Sequence, residues 1–389
     1  MKHPFEPSFG TVFGCDPEIF VTRASGRVRK RRAAVGSERF LPPAGIYGDG
    51  SGVTRDGVQA ELHIEAGGCR EGAASHIARA MTLLNDAVKA ARAELRIPSL
   101  AVTFKPMISL TPADLRQLSP EARQLNCKPS LNAYGRKQVI VDGNTYTHRT
   151  ASGHIHLGTG LITKKLVDPV DMVKILDVLV GIPTVLIDRD PSQIIRREIY
   201  GLAGEYRLPK HGLEYRVPSN FWLLDYKLAS MIFGLARLAV NVAEGFIRNS
   251  KQQWAKDALL DRVDFDKVQQ AINTNDVDIA LCIYKESIRP FAEQLPVYYS
   301  FGSGTVMDNF EYFIDQIHEG GLRRWFKTDD SATLDRWMRL STAIGWERFL
   351  SQEVLLKRAA ARFTGIIVPA ASTGTVVRRH SREDLPIAA

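Results

Sequence analysis

The sequence predicts an α+β fold, with strands concentrated before about residue 220 and helices after it. Three observations carry this. Short runs near 61–65, 154–157 and 213–217 alternate apolar and charged residues with period two, the signature of strands with one buried face. Two stretches, about 169–187 and 222–248, are apolar nearly all round, as buried helices are. From Ser250 onward the pattern turns polar and amphipathic at helical spacing. The resulting division is a core over 1–248, a helical region over 249–367 and a turn-rich flexible tail over 368–389.

In chain order, residues 8–22 read as a strand carrying Asp16 and Glu18 on one face, with Pro17 marking an edge or bulge. Arg23, Arg27, Arg29, Lys30, Arg31, Arg32 and Arg39 crowd the next segment, which reads as a solvated basic loop over about 22–39. Strand character returns over 40–68, broken by turn signals at Gly48-Asp49-Gly50-Ser51-Gly52 and Asp56-Gly57. A helix is expected from about 72 to 95, a strand over 100–109, and a short helix after the N-cap signal Thr111-Pro112. Gly153 to Gly160 forms a glycine-flanked strand. After the 169–187 helix come two Glu-Tyr-Arg triplets, Glu205-Tyr206-Arg207 and Glu214-Tyr215-Arg216, separated by the turn Pro209-Lys210-His211-Gly212. The later helices are expected over 254–260, 265–272, 277–291, 308–318, 331–346 and 353–363.

Length and composition set bounds. A chain of 389 residues with 44% apolar and 24% charged residues is globular and large enough for two or three domains, or one large fold with insertions. Its net charge of +8 permits anionic partners without requiring them. The four cysteines are far apart and form no C-x-x-C pair, which argues against a disulfide framework or structural zinc. The beginning, MKHPFEPSFG, has no apolar signal core, and no run of ~18 apolar residues reads as a membrane span. The cytoplasm is the expected compartment.

The polar strand faces are unusual in composition. Surface strands mix Lys, Thr, Ser and Glu, whereas these faces hold Glu, His and Arg alone: Glu61, His63 and Glu65; His154 and His156; Glu214 and Arg216. Carboxylates and imidazoles hold divalent cations, and guanidinium forks hold phosphate or carboxylate oxygens. A set rich in carboxylates and without cysteine suits magnesium, or manganese, better than zinc. The H-E-x-x-H, P-loop, Rossmann and G-x-S-x-G motifs are absent, so a nucleotide would have to bind a sheet rather than a glycine loop.

Four blocks, GCDPEIF, DGVQAELHIEAG, SGHIHLG and REIYGLAGEYRLPKHGLEYRVPS, resemble in that order the phage-encoded carboxylate-amine ligases, amidoligases related to glutamine synthetase and glutamate-cysteine ligase. The resemblance runs from about residue 12 to 222. It implies a curved antiparallel sheet, backed by helices, whose concave face holds ATP and two or more magnesium ions. It makes Glu18, Glu61, His154 and Glu214 metal ligands, and gives His156 to the reacting phosphate. A closing R-x-E-x-R pattern is matched by Glu214 and Arg216, but Gly212 stands where its first arginine is expected. Arg207 or Arg197 would then supply the nucleotide contact. Asp56, Gln59 and Glu65 are supporting candidates.

The activity so implied is amide formation from small-molecule or peptide carboxylate and amine substrates, through an acyl phosphate made with the γ-phosphoryl of ATP. Two alternatives stand beside it. One keeps the sheet and transfers phosphoryl to a nitrogen acceptor, as guanidino kinases do. The other is a nucleic-acid-binding protein built on the Arg23–Arg39 segment, disfavoured because no aromatic residues interleave with the basic run. The helical C-terminal third is left with three roles: covering the site, binding a macromolecular substrate, or forming a homo-oligomer interface.

Overall fold

The computed structural model describes residues 11–24, 32–48, 50–68, 70–125, 130–248, 259–292, 330–343, 345 and 347–348. The helices expected over 308–318 and 353–363, the 368–389 tail and basic residues 25–31 lie outside the described residues.

Pro17 divides the first predicted strand into β1 (Val12–Cys15) and β2 (Glu18–Ala24). Proline has no N–H for a ladder bond. Its carbonyl still accepts from Leu62 N at 2.9 Å, so β6 (Gln59–Gly67) runs past both pieces, with Cys15 opposite Ile64 and Glu18 opposite Glu61. β3 (Arg32–Ala34) folds back on β2, which makes the described ends of the basic segment a hairpin. Arg32 bonds Thr22 and Ser99 O, and Arg23 bonds Gln117.

β4 (Ile46–Gly48) and β5 (Ser51–Asp56) form a glycine-rich hairpin against β6. α1 (Arg70–Glu94) follows. The strand expected over 100–109 is two strands split at Pro106, β7 (Ala101–Thr103) on β2 and β8 (Met107–Ser109) in a separate ribbon. The single short helix expected next is also two, α2 (Pro112–Gln117), which begins with a Thr111/Asp114 capping box, and α3 (Pro120–Arg123). β9 (Leu131–Asn132) is an edge strand, and β10 (His148–Thr150) completes the ribbon with β8.

β11 (Ile155–Gly158) and α4 (Gly160–Thr163) come next. The long helix at 169–187 is present as α5 (Pro169–Leu176) and α6 (Ile182–Ile187), joined by a π turn over Asp177–Gly181. Pro183 at the start of α6 cannot donate the regular helical bond, which accounts for the break in pitch. After α7 (Gln193–Ile199), the triplets form a hairpin of β12 (Glu205–Arg207) and β13 (Gly212–Tyr215). α8 (Tyr226–Arg248) is the second long apolar helix. Its segment Tyr226–Ala243 has the length and composition to cross a membrane, but 78% of that window is buried inside the protein.

The strands make an 11-stranded sheet in the order β3-β2-β6-β1-β11-β13-β12-β9, with β4, β5 and β7 attached at its sides and all pairs antiparallel. The predicted period-two alternation has a direct structural reading. Phe13, Cys15, Leu62, Ile64, Ile155, Leu157, Leu213 and Tyr215 belong to one apolar cluster with α1, α5, α6 and α8. Their neighbours Gly14, Glu61, His63, His156 and Glu214 occupy the opposite face. Helices Phe265–Thr274, Val277–Ile283 and Asp330–Leu340 contribute Val268, Ile272, Ile283 and Trp337 to the same cluster. Trp337 Nε1 also donates to Leu223 O at 2.7 Å.

Candidate active site

Strand register assembles the site. Reading across the sheet, Gly14 of β1 is opposite His156 of β11, His156 is opposite Glu214 of β13, and Glu214 is opposite Arg207 of β12. Four neighbouring strands thus place one row of side-chain positions on one face. Asp16 follows β1 on the same parity, and the facing pair Glu18 and Glu61 stands beyond it.

Asp16 is the hub. His154 Nδ1 lies 3.2 Å from its Oδ1, and His156 Nε2 lies 3.0 Å from its Oδ2. Burial alone would raise the Asp16 carboxyl, but the two imidazoles hold it well below the usual range. The same partner raises His156 despite its burial, whereas His154 is lowered by burial with Arg216 adding to the effect. Both nitrogens of His154 face protein groups, Nδ1 toward Asp16 and Glu214 and Nε2 at 2.9 Å from Tyr200 Oη.

Glu214 is nearly inaccessible, at 5% exposed. Its Oε1 takes a hydrogen bond from Arg216 Nη1 and lies 3.5 Å from Arg207 Nη1 and 3.4 Å from His154 Nδ1. Arg216 is itself fully buried and donates through Nη2 to Tyr200 Oη. Removing one member of the buried Arg216–Glu214 pair costs about 3–5 kcal/mol, because the partner charge is left in a poor dielectric.

Glu18 and Glu61 are the misfits. Glu18 accepts from Ser152 N at 2.7 Å, and Glu61 lies 3.5 Å from His63 Nε2. Burial, then Asp56, pushes Glu18 up to about 8. Burial, then Asp16, Glu18, Asp56 and Glu214, pushes Glu61 up to about 9. Such crowding of carboxylates is what a bound cation relieves.

The sequence-predicted metal residues Glu18, Glu61, His154 and Glu214 lie in one cluster with His156, Arg207 and Arg216, but His154 has both nitrogens turned to protein groups, and His156, expected at the reacting phosphate, stands instead with Asp16 and Glu214 in the set that could hold a metal. Arg197 is placed differently. It is buried, donates to Val217 O at 2.9 Å, and its charge acts on Asp188 and Glu205. Asp56 acts on both Glu18 and Glu61, which places this supporting candidate in the same field. Gln59 instead donates to Thr150 O at 2.8 Å.

Sequence reasoning left Asp16, Tyr200 and His211 out of the site. Asp16 had a signal, its shared parity with Glu18 across Pro17. Tyr200 and His211 had none, being brought in by the turns before β12 and β13. His211 stacks on His156, with its Nε2 3.2 Å from His156 Nδ1.

The set fits a divalent cation. Asp16, His156 and Glu214 each offer a ligand atom within 4.8 Å of the others. Among the described residues, the buried His156 Nε2 and Asp16 Oδ1 have no hydrogen-bond partner of good geometry, their approaches being 3.0 Å to Asp16 Oδ2 and 3.2 Å to His154 Nδ1. Asp16 and His156 also line a cavity of about 660 Å³, together with Gly14, Gly52, Tyr47, Glu65 and His211.

Residues 123–279 match the family model described as Phage phiEco32-like COOH.NH2 ligase-type 2. That stretch spans β11 to β13 and so includes His154, His156, Arg207, Glu214 and Arg216, while Asp16, Glu18 and Glu61 precede it. No curated protein matches the chain.

Proposed function

From the premise that the chain belongs, through residues 123–279, to the phage-type carboxylate-amine ligase family, we propose that it is an ATP- and magnesium-dependent ligase forming an amide bond through an acyl phosphate. The observation that carries this reading is the convergence of Asp16, Glu18, Glu61, His156 and Glu214 with Arg207 on one face of the sheet. A cytoplasmic setting, where ATP is at hand, is part of the proposal, as is the glutamine-synthetase-like curvature of the sheet.

A carboxylate resists an amine nucleophile until one oxygen is made a leaving group. In the first step a substrate carboxylate oxygen attacks the γ-phosphorus of ATP, the bond to the β,γ-bridging oxygen breaks, and ADP leaves. In the second the amine nitrogen, in its neutral form, attacks the acyl carbon, phosphate departs, and the proton given up by the nitrogen leaves with the phosphate. Magnesium, when bound, supplies charge neutralisation between two anionic reactants.

Asp16, His156, Glu214, Glu18 and Glu61 would hold the cations. Arg207, its side chain 28% exposed, would contact phosphate or carboxylate oxygens. Arg216 is buried and acts through others: it fixes the Glu214 carboxylate and, by way of Tyr200, the ring of His154. Removing one such preorganised charge costs about 10²–10³ in turnover.

The test is ADP release by the purified protein supplied with MgATP and pools of carboxylates and amines. Release that requires both acceptors, and a product mass equal to the two substrates less water, is the expected result. Phosphoryl transfer to one nitrogen acceptor, with no joined product, contradicts it.

A further inference from the structure

The polar face is not uniform in charge. On the β13–β12 side stand Arg207 and Arg216. The cavity runs from β5 and β6 across β1 to β11, and its described lining includes the carboxylates of Asp16 and Glu65 and the rings of Tyr47, His63, His156 and His211, and contains neither lysine nor arginine. The reaction has two anionic reactants and one that is cationic before it reacts. The arginine side suits the anions.

The cavity's rim is built for a cation. Tyr47 is 63% exposed, yet its ring is held: a Cβ placed on Gly52 would lie 2.4 Å from Tyr47 Cδ1, so the ring folds across the bare backbone of β5. The His63 ring lies beside it, 6.4 Å between centroids and tilted by 36°. Gly50, with φ of +66°, turns the same hairpin, and a Cβ there would lie 2.8 Å from His76 Nε2 and 3.0 Å from Glu65 Oε2. The glycine hairpin thus brings a π-face and a carboxylate to one rim, the pair that recognises ammonium groups. A cavity of about 660 Å³ is many times a water's share of liquid volume, ~30 Å³, and so has room for an amine well beyond the size of ammonia.

We propose that this cavity receives the amine substrate, as a protonated primary amine on an organic scaffold larger than ammonia, with Tyr47 and Glu65 as its recognition groups. The inference rests on the ligase reading. It adds where the amine sits and what class of amine it is.

Calorimetry on the full chain, with benzylammonium and lysine amide as probes and benzoate as the isosteric anion, tests it. The amines bind and benzoate does not displace them. Tyr47→Ala and Glu65→Gln each weaken amine binding by ~5-fold or more, Tyr47→Phe restores it, and MgATP affinity is unchanged throughout. Both positions are exposed, so the variants fold. No amine binding, or binding indifferent to both substitutions, overturns the proposal. Loss of MgATP binding in Tyr47→Ala assigns the cavity to the nucleotide instead. Failure of the unsubstituted protein to bind MgATP removes the ligase reading, and the amine measurement reports on the cavity separately.

Discussion

At position 212 no side chain is allowed. Gly212 has φ of +148°, and a Cβ there would sit 2.2 Å from Leu157 O. An arginine expected at this point of the closing pattern is therefore excluded by the hairpin itself. Arg207, directly across from Glu214 on the neighbouring strand, brings a guanidinium to 3.5 Å from the Glu214 carboxylate. Gly212→Ala should lower stability by about 1–3 kcal/mol or more in urea denaturation. The two arginines proposed as substitutes separate in the same way. Arg207→Gln is expected to weaken MgATP binding with little change in melting temperature. Arg197→Gln removes a buried cation and one of the two guanidinium donors to the Val217 carbonyl, Arg196 Nη1 being the other, and should cost about 1–3 kcal/mol, with MgATP affinity of the folded fraction unchanged. Calorimetry paired with thermal melts checks both.

At the scale of elements, the pitch break between α5 and α6 positions a buried acid. Asp177 accepts from Tyr134 Oη at 2.9 Å and Tyr215 Oη at 2.7 Å, so the helix pair is tied to β13 through its π turn. Burial outweighs these bonds and pushes its carboxyl up to about 7, and burial likewise pushes Asp188, beyond α6, up to about 6. Raised carboxyls mean that the fold favours their neutral forms. Their contribution is full below about pH 4, the unfolded value, and is lost as pH rises through 6 and then 7. Asp177→Asn should flatten the fall in melting temperature across that window. Much of this architecture was legible in the chain, because Leu62 with Ile64 and Ile155 with Leu157 advertise their buried face by period two. The breaks were less so. Pro17, Pro106 and Pro183 each interrupt an element whose apolar pattern continues through them, and pattern alone does not say whether the ladder survives.

At the scale of the molecule, the site depends on pairings between distant segments. Glu18 meets Glu61 through β2 and β6, and His156 meets Gly14 and Glu214 through β1 and β13. Residue type marked most of these positions in advance, since Glu, His and Arg are poor choices for a merely solvated strand. Asp16 was obscured by lying in the break between β1 and β2. Tyr200 and His211 could not be assigned, because turns set their positions and no periodicity reaches into a turn. The account's central claim is that this convergence holds divalent cations. Manganese titration followed by electron paramagnetic resonance tests it most directly, comparing the unsubstituted protein with Asp16→Asn and Glu214→Gln. The account predicts saturable binding that either substitution weakens by ~10-fold or more, an energetic loss of about 1.4 kcal/mol; no saturable binding, or binding that both substitutions leave unchanged, would contradict it.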